Sequence, residues 1–204
     1  MNRVLLLRHG QSTWNAEQRW QGQADPPLSP LGESQAREAG ERLKVEAAPV
    51  AEVVASDLGR AHTTARIVSE CLGMDPESVV LEPGLRERHV GEWSGLTRVE
   101  IEERWPGMID GWRSGKVTTI PGGEGDITER VAPVVERLAR EAHGTVIAVT
   151  HGGVIHAVER YLKAERVAMG NLCGRWVWWD DGRLAAGDPF LLAPPSPESS
   201  TTVL

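Results

Sequence analysis

Residues 4–15 read Val-Leu-Leu-Leu-Arg-His-Gly-Gln-Ser-Thr-Trp-Asn, an apolar run that ends in an arginine and a histidine. Four consecutive apolar residues ahead of Arg8 predict a short strand buried on both faces, as in a parallel sheet. Open α/β sheets bind ligands beyond the carboxyl ends of their strands, where a glycine such as Gly10 lets the backbone come close. The stretch therefore predicts a sheet that presents Arg8 and His9 at a binding edge.

The rest of the chain alternates between apolar runs typical of strands and helical periodicities. We predict further strands at 50–55, 79–81, 145–150, 175–179 and 183–186, the last two joined by a turn at Asp181-Gly182. We predict helices after Ser29-Pro30, after Ser56-Asp57, at 98–105 and from Gly152. A further helix is predicted from Ile127, with Asp126 as its N-cap and a kink at Pro133. The stretch 111–125, rich in glycine and threonine, is predicted as a loop or lid. This alternation predicts an α/β fold, a three-layer α/β/α sandwich with a mainly parallel central sheet.

Length and composition limit what the chain can be. Its 204 residues fit one domain, which we place at 1–192, followed by a mobile tail at 193–204 rich in proline, serine and threonine. A net charge of −7 disfavours nucleic acid and anionic membranes as partners. No signal-peptide core or membrane span is recognisable, which predicts a cytoplasmic protein.

Four segments place polar groups just beyond a strand or in a loop: Arg8-His9, Arg60, Glu87 and His151. Each segment alone is weak evidence for a functional site, because a histidine that closes an apolar run is more often structural and an arginine that opens a helix is usually solvated. Two junctions of the same kind, strand then histidine then glycine, carry more weight. They favour a functional interpretation of Arg8-His9-Gly10 and His151-Gly152 over a structural one.

A resemblance to a known family follows from these residues in their order. Residues 6–12 read Leu-Leu-Arg-His-Gly-Gln-Ser, 56–61 read Ser-Asp-Leu-Gly-Arg-Ala, 85–87 read Leu-Arg-Glu, and 149–153 read Val-Thr-His-Gly-Gly. Together with Gln21-Gly22 and the stretch Pro121-Gly122-Gly123-Glu124, this pattern resembles the histidine phosphatase superfamily, the phosphoglycerate-mutase-like group. The resemblance covers about residues 3 to 160.

The resemblance implies a role for each matching position. His9 would be the nucleophile, Glu87 the proton donor, and Arg8, Arg60 and His151 the ligands of the phosphoryl group. Asn15, Gln21 and Gly22 would line the same pocket, with Gly152 beside His151. No metal or other cofactor is implied.

Elementary chemistry agrees with these roles. The transition state of phosphoryl transfer spreads negative charge over the equatorial oxygens, and arginine forks bind such oxygens in pairs. A neutral imidazole can attack phosphorus, forming a phosphohistidine that water then cleaves. The leaving alkoxide needs a proton, which a carboxylic acid can supply.

Spacing alone leaves other assignments open. Glu92 and Glu124 compete with Glu87, because each lies in an irregular segment near the same mouth. His89, two residues after Glu87, is a candidate substrate contact. We read His62, His143 and His156 as structural.

Three outcomes fit the same chemistry: a phosphatase, a phosphoglycerate mutase that uses the same phosphohistidine, and a phosphate-binding module without turnover. All catalytic positions hold the expected residue types, which disfavours the silent module. Mutases of the family carry a longer segment after the acid that holds the substrate carboxylate with basic residues, whereas the stretch 88–120 here is short and sets its five basic residues among five acidic ones. We therefore predict a metal-independent phosphoric monoester hydrolase that acts on small-molecule sugar or glycerate phosphates.

Residues 87–97 refine this choice, because they resemble the branch of bacterial phosphatases that contains glucosyl-3-phosphoglycerate phosphatases and broad-specificity phosphatases. The oligomeric state stays open. Trp176, Trp178 and Trp179 either pack in alternation along their strand or form the interface of a homodimer.

Overall fold

The computed structural model describes residues 2–47 and 49–192, and within these the predicted strands form one six-stranded sheet of order β3-β2-β4-β1-β5-β6. The strands are β1 (Arg3–Arg8), β2 (Val50–Ala55), β3 (Val80–Leu81), β4 (Thr145–Thr150), β5 (Gly174–Asp180) and β6 (Arg183–Phe190). The first four run parallel, and β5 and β6 add two antiparallel strands at one edge. The predicted α/β fold with a mainly parallel sheet is thus confirmed.

Helices cover both faces of the sheet. They are α1 (Thr13–Ala16), α2 (Pro30–Glu46), α3 (Gly59–Cys71), α4 (Arg98–Arg104), α5 (Met108–Arg113), α6 (Thr128–Glu141) and α7 (Gly152–Tyr161). Alternate residues of β1 face opposite layers: Leu5 and Leu7 pack with α2 and α3, whereas Val4 and Leu6 pack with α6 and α7. This alternation builds the three layers, because successive side chains of a strand point to opposite faces.

Several element boundaries differ from the predictions. The segment 111–125 was expected to be a loop or lid, but α5 reaches into it and the buried Ile109 and Ile120 anchor it to the body. Helix α6 begins at Thr128, one residue after its N-cap Ile127, while the predicted cap Asp126 accepts a hydrogen bond from the backbone N–H of Thr128. Turn chemistry was predicted correctly, since Asp181 and Gly182 both have positive φ between β5 and β6.

A third apolar cluster lies apart from the two cores that flank the sheet. Trp20, Trp93 and Trp112 form edge-to-face pairs with ring centroids 5.0 to 6.3 Å apart. Such geometry suits the quadrupoles of aromatic rings. The cluster fixes the segment between β3 and α6 onto the body of the molecule.

The predicted tail at 193–204 lies outside the described residues. None of the helices in the described ranges is long and apolar enough to cross a membrane.

Candidate active site

His9 follows the last residue of β1 and is 3 % exposed. Its Nδ1 lies 2.7 Å from the carbonyl oxygen of Gly10, and its Nε2 accepts a hydrogen bond from Nε of Arg60 at 3.2 Å. Because a guanidinium only donates, the lone pair of the ring must be on Nε2 and its proton on Nδ1. Burial, and then the charges of Arg60 and Arg8, hold the pKa of His9 well below its ordinary value. His9 is therefore a neutral imidazole whose nucleophilic atom is Nε2.

His151 follows β4 and caps α7, and β4 is the parallel neighbour of β1. Arg8 pairs with Thr150 in the sheet, so His9 and His151 leave the same edge side by side, with ring centroids 5.1 Å apart. Nε2 of His151 lies 2.9 Å from the Ser56 hydroxyl, which also accepts from the N–H of Leu58. When this hydroxyl donates its own hydrogen to Nε2, the ring proton of His151 is on Nδ1.

Two further observations describe the state of His151. Burial, and then the charge of Arg60, hold its pKa well below the ordinary value, so the ring is neutral. Its buried Nδ1 has no hydrogen-bond partner within the described residues. Such an unsatisfied donor is costly in a core, and a bound anion would satisfy it.

Arg8 and Arg60 bring two buried guanidinium groups to the same place. Arg60 is 1 % exposed, and besides His9 it donates to the carbonyl oxygens of Ala24 at 2.6 Å and Gly22 at 2.7 Å. Burial lowers its pKa to about 10, which leaves it charged at neutral pH. Arg8 donates to the carbonyl oxygen of Met169, and its buried Nε has no partner in the part of the chain described.

Glu87 joins this cluster from the loop after β3. Its Oε1 accepts from the backbone N–H of Arg88 at 2.7 Å, and its Oε2 accepts from that of Gly153 at 3.0 Å. A Cβ at Gly153 would overlap Oε1 of Glu87, so only glycine permits this approach. The negative charge of Glu87 acts on both Arg8 and Arg60 and partly offsets the effect of burial on their pKa values.

The remaining predicted pocket residues lie around His9. Gly22 has a positive φ of 53°, and its carbonyl oxygen is bound by Arg60. The Gln21 amide oxygen accepts from the Ser12 hydroxyl at 2.7 Å, and Asn15 bonds the backbone of Ser12. A Cβ at Gly152 would lie 3.7 Å from Nε of Arg8.

The three carboxylates that compete for the role of proton donor differ in their contacts and exposure. Hydrogen bonds from Arg130 and from the N–H of His89 lower the pKa of Glu124 below its ordinary value, although burial raises it. Glu92 is exposed. Of the three acids, Glu87 alone contacts the backbone at the start of α7, beside His151.

The other histidines are dispersed. His89 is exposed, and its Nδ1 accepts from the N–H of Gly91 at 3.2 Å. His89 does not line the cavity that opens beside Glu87. His143 is exposed beyond the end of α6, and His62 is half-buried on α3. His156 is buried in α7 and bonded to Glu159.

A cavity of about 890 Å³ opens beside Glu87 and Gly153. Aromatic walls come from Trp20 and Trp112, and the charged lining is mostly basic. Its basic residues are Arg88, Arg113, Arg160 and Arg166. The sequence of residues 88–120 indicated no excess of basic groups, but Arg160 and Arg166, from α7 and the segment after it, add two arginines to this cavity.

Sequence reasoning missed several residues that shape the site. Ser56 orients His151, and Asn171 donates to the carbonyl oxygen of His9 at 3.0 Å and faces the Asn15 amide oxygen at 3.4 Å. Ser56 belongs to the motif at 56–61, so its position directly after β2 could have indicated a contact with the site. Asn171 lies in the irregular stretch between α7 and β5, where no periodicity points to it.

An α/β sheet that holds a neutral histidine among fixed cations, with a carboxyl group alongside, defines an enzyme of phosphoryl transfer. A family model described as histidine phosphatase superfamily (branch 1) matches residues 4–183. The chain belongs to this superfamily.

Named relatives agree with this membership. A glucosyl-3-phosphoglycerate phosphatase of Mycolicibacterium vanbaalenii is 36% identical, covering 95% of this chain and 90% of that one. A metal-independent phosphoserine phosphatase of Arabidopsis thaliana is 40% identical, over 76% of this chain and 66% of that protein. The solved structure of a mycobacterial glucosyl-3-phosphoglycerate phosphatase with VO3 superimposes with a TM-score of 0.78 at 34% identity, over 92% and 98% of the two chains. Mutases also occur among the relatives. The protein is a phosphoric monoester hydrolase of the histidine phosphatase type.

Proposed function

We propose that the protein hydrolyses phosphate monoesters of small metabolites, sugar or glycerate phosphates, through a phosphohistidine on His9 and without a metal ion. The observation that carries this proposal is the hydrogen bond from Nε of Arg60 to Nε2 of His9, which fixes the lone pair of the ring on Nε2, the atom that attacks phosphorus once substrate takes the place of this bond. The relatives named above make glucosyl-3-phosphoglycerate the first substrate to test.

The reaction proceeds in two transfers. Glu87 enters the reaction as the protonated acid, having taken up a proton when substrate binds. Nε2 of His9 attacks phosphorus, the ester P–O bond breaks, and its electron pair leaves with the alcohol oxygen, which takes the proton of Glu87. A water molecule then attacks the phosphohistidine while the Glu87 carboxylate accepts its proton. The P–N bond breaks, its electron pair returns to His9, and orthophosphate leaves.

Fixed cations and donors stabilise the charge that develops on the phosphoryl oxygens. Arg8 offers its Nε and His151 its Nδ1, two buried nitrogens that have no hydrogen-bond partner among the described residues. Arg60 is held by two backbone carbonyl oxygens, so its charge is in place before substrate arrives. Preorganised groups of this kind cost no reorganisation during the reaction.

The experiment that tests the proposal replaces the nucleophile. We expect His9→Ala to lose hydrolysis of p-nitrophenyl phosphate, whereas His62→Ala keeps it. Rapid quenching of the unaltered enzyme with ³²P-labelled substrate should give an acid-labile, base-stable protein label. Turnover retained by His9→Ala contradicts the mechanism.

A phosphoglycerate mutase is the second candidate, and the four arginines of the cavity favour keeping it, because they suit a substrate that carries a further negative charge. Incubation with 3-phosphoglycerate and a 2,3-bisphosphoglycerate primer separates the two. We expect orthophosphate release to exceed formation of 2-phosphoglycerate. The opposite ratio would establish the mutase.

Location and assembly belong to the same proposal. We place the protein in the cytoplasm, where small phosphomonoesters are its partners, and cell fractionation tests this. Light scattering tests for a homodimer formed through the half-buried Trp176, Trp178 and Trp179. A dimer would give twice the chain mass of 22.3 kDa.

A further inference from the structure

A buried charged network lies under the cavity beside Glu87. It consists of His156, Glu159 and Arg175, which are 8 %, 1 % and 5 % exposed. Glu159 Oε2 lies 2.9 Å from Nδ1 of His156, and its Oε1 accepts from Nε and Nη2 of Arg175 at 3.1 and 2.8 Å. Arg175 also donates to the carbonyl oxygens of Gly187 and Glu165. Both carboxylate oxygens of Glu159 are thus used.

These contacts determine which ring nitrogen of His156 carries a proton. A carboxylate only accepts hydrogen bonds, so Nδ1 must donate to Glu159. In the neutral ring Nε2 is then the acceptor nitrogen, and it has no hydrogen bond within the described residues.

Most of the charged side chains around His156 are donors. His156 lines the cavity together with Arg88, Arg160 and Arg166, whose side chains only donate. Asp126, an acid of the same lining, is bonded to Arg160 at 2.7 Å and to the Thr128 hydroxyl at 2.7 Å. Nε2 of His156 offers an acceptor to a substrate hydroxyl that must donate, and Glu87, Ser114 and Thr118 are further side-chain acceptors of the lining.

We propose that His156 is a specificity-determining residue whose Nε2 accepts a hydrogen bond from a hydroxyl group of the leaving alcohol. The substrate class is then a phosphate monoester of a polyhydroxy alcohol or sugar. Glu159 and Arg175 are positioning residues, because they act on the substrate only through the imidazole. This inference rests on the proposed function, since the cavity receives the alcohol only if the phosphoryl group goes to His9.

The test compares substrates that differ only in their hydroxyl groups. Glycerol 3-phosphate is paired with n-propyl phosphate, and glucose 6-phosphate with cyclohexylmethyl phosphate. In His156→Leu we expect the ratio of kcat/KM within each pair to fall by about 10-fold, the change that a lost hydrogen bond of about 1.4 kcal/mol produces. The loss should appear mainly in KM. A ratio cancels any change in the fraction of folded enzyme.

Two variants serve as controls. His156→Gln keeps a side-chain amide and should restore most of the ratio, while His143→Leu removes an exposed histidine that does not line the cavity and should keep the ratio. An unchanged ratio in His156→Leu, with or without loss of overall activity, would make the residue structural and overturn the inference. The proposed function fails separately, if His9→Ala still hydrolyses p-nitrophenyl phosphate.

Discussion

At the scale of single residues, the site depends on keeping imidazole rings neutral in a strongly cationic place. Burial and two buried guanidinium groups lower the pKa values of His9 and His151 together. The same effect that makes His9 a nucleophile makes its protonation costly. Catalytic readiness and acid stability are therefore coupled at these two positions.

This coupling predicts how stability depends on pH. In the unfolded chain both rings take up protons near their ordinary pKa of about 6.5, whereas in the folded protein they stay neutral well below it. The unfolded state then binds more protons, so the free energy of unfolding decreases as the pH falls below about 6.5, by about 1.4 kcal/mol per pH unit for each proton. Urea titrations from about pH 7 downwards measure this slope.

The matched variant is His9→Gln with His151→Gln, which removes both rings. Its stability should fall less steeply with decreasing pH than that of the unaltered protein. Equal slopes would mean that other groups cause the acid sensitivity.

Gly153 supplies a second residue-scale prediction. Gly153→Ala places a Cβ against Oε1 of Glu87 and should displace the proton donor. General acid catalysis is worth about 10²-fold or more, so we expect kcat/KM for alkyl phosphates, which reports the transfer to His9, to fall by about that factor. The kcat/KM for p-nitrophenyl phosphate should fall much less, because p-nitrophenolate leaves without a proton. Gly125→Ala, whose Cβ would meet only ordinary contacts, is the control. Equal losses on both substrates would argue against Glu87 as the donor.

At the scale of elements, helix starts were readable where a side chain makes the cap. Ser29-Pro30 predicted the start of α2, and the Ser29 hydroxyl accepts from the N–H of Gly32 at 3.1 Å. By contrast, α3 begins at Gly59, and its N-cap residue Leu58 makes no side-chain capping bond. Ser56 and Asp57 precede the helix without being its N-cap. Their side chains serve His151 and Arg86 instead. Caps shaped by tertiary contacts are invisible in local sequence.

The cap of α2 can be tested directly. Ser29→Ala removes the bond to Gly32 and the bond that Ser29 donates to Gln11 at 2.8 Å. We expect a loss of about 1 to 2 kcal/mol in the free energy of unfolding, measured by chemical denaturation. Ser34→Ala, an exposed position inside the same helix, should be neutral or slightly stabilising, since alanine is the better helix former. If the two variants behave alike, the cap contributes nothing.

At the scale of the whole molecule, the phosphate-binding centre was predictable because its residues follow strand ends. The pairing of β1 with β4 brings His9 and His151 together, and both follow recognisable apolar runs. The surrounding cavity was not predictable. Arg88, Arg160 and Arg166 come from segments distant in sequence, and only the folded chain places them on one cavity. Residue types of the stretch 88–120 alone indicated no excess of basic groups there.

The centre also predicts how a ligand stabilises the whole fold. Arg8 and His151 each hold a buried nitrogen without a partner within the described residues, and orthophosphate can satisfy both. Binding to the folded state alone should raise stability by about 2.7 kcal/mol at 100 times the dissociation constant. Thermal unfolding with increasing orthophosphate measures this as a rise in Tm.

Two arginine variants make that test specific. Arg8→Gln should reduce or abolish the rise in Tm, whereas Arg37→Gln, at an exposed position of α2, should keep it. A rise of equal size in both would indicate a general salt effect.

The separation between the central strand pair and the cavity wall has a consequence for how such an enzyme can diversify. The reacting groups follow β1 and β4 in the middle of the sheet, whereas much of the wall comes from the segments 112–118 and 160–168 at the periphery. Exchange of these peripheral segments between homologous chains would then redirect the choice of alcohol and leave the transfer chemistry intact. The architecture permits new substrate specificities to arise by replacement of one of these wall segments without a change in the reacting groups.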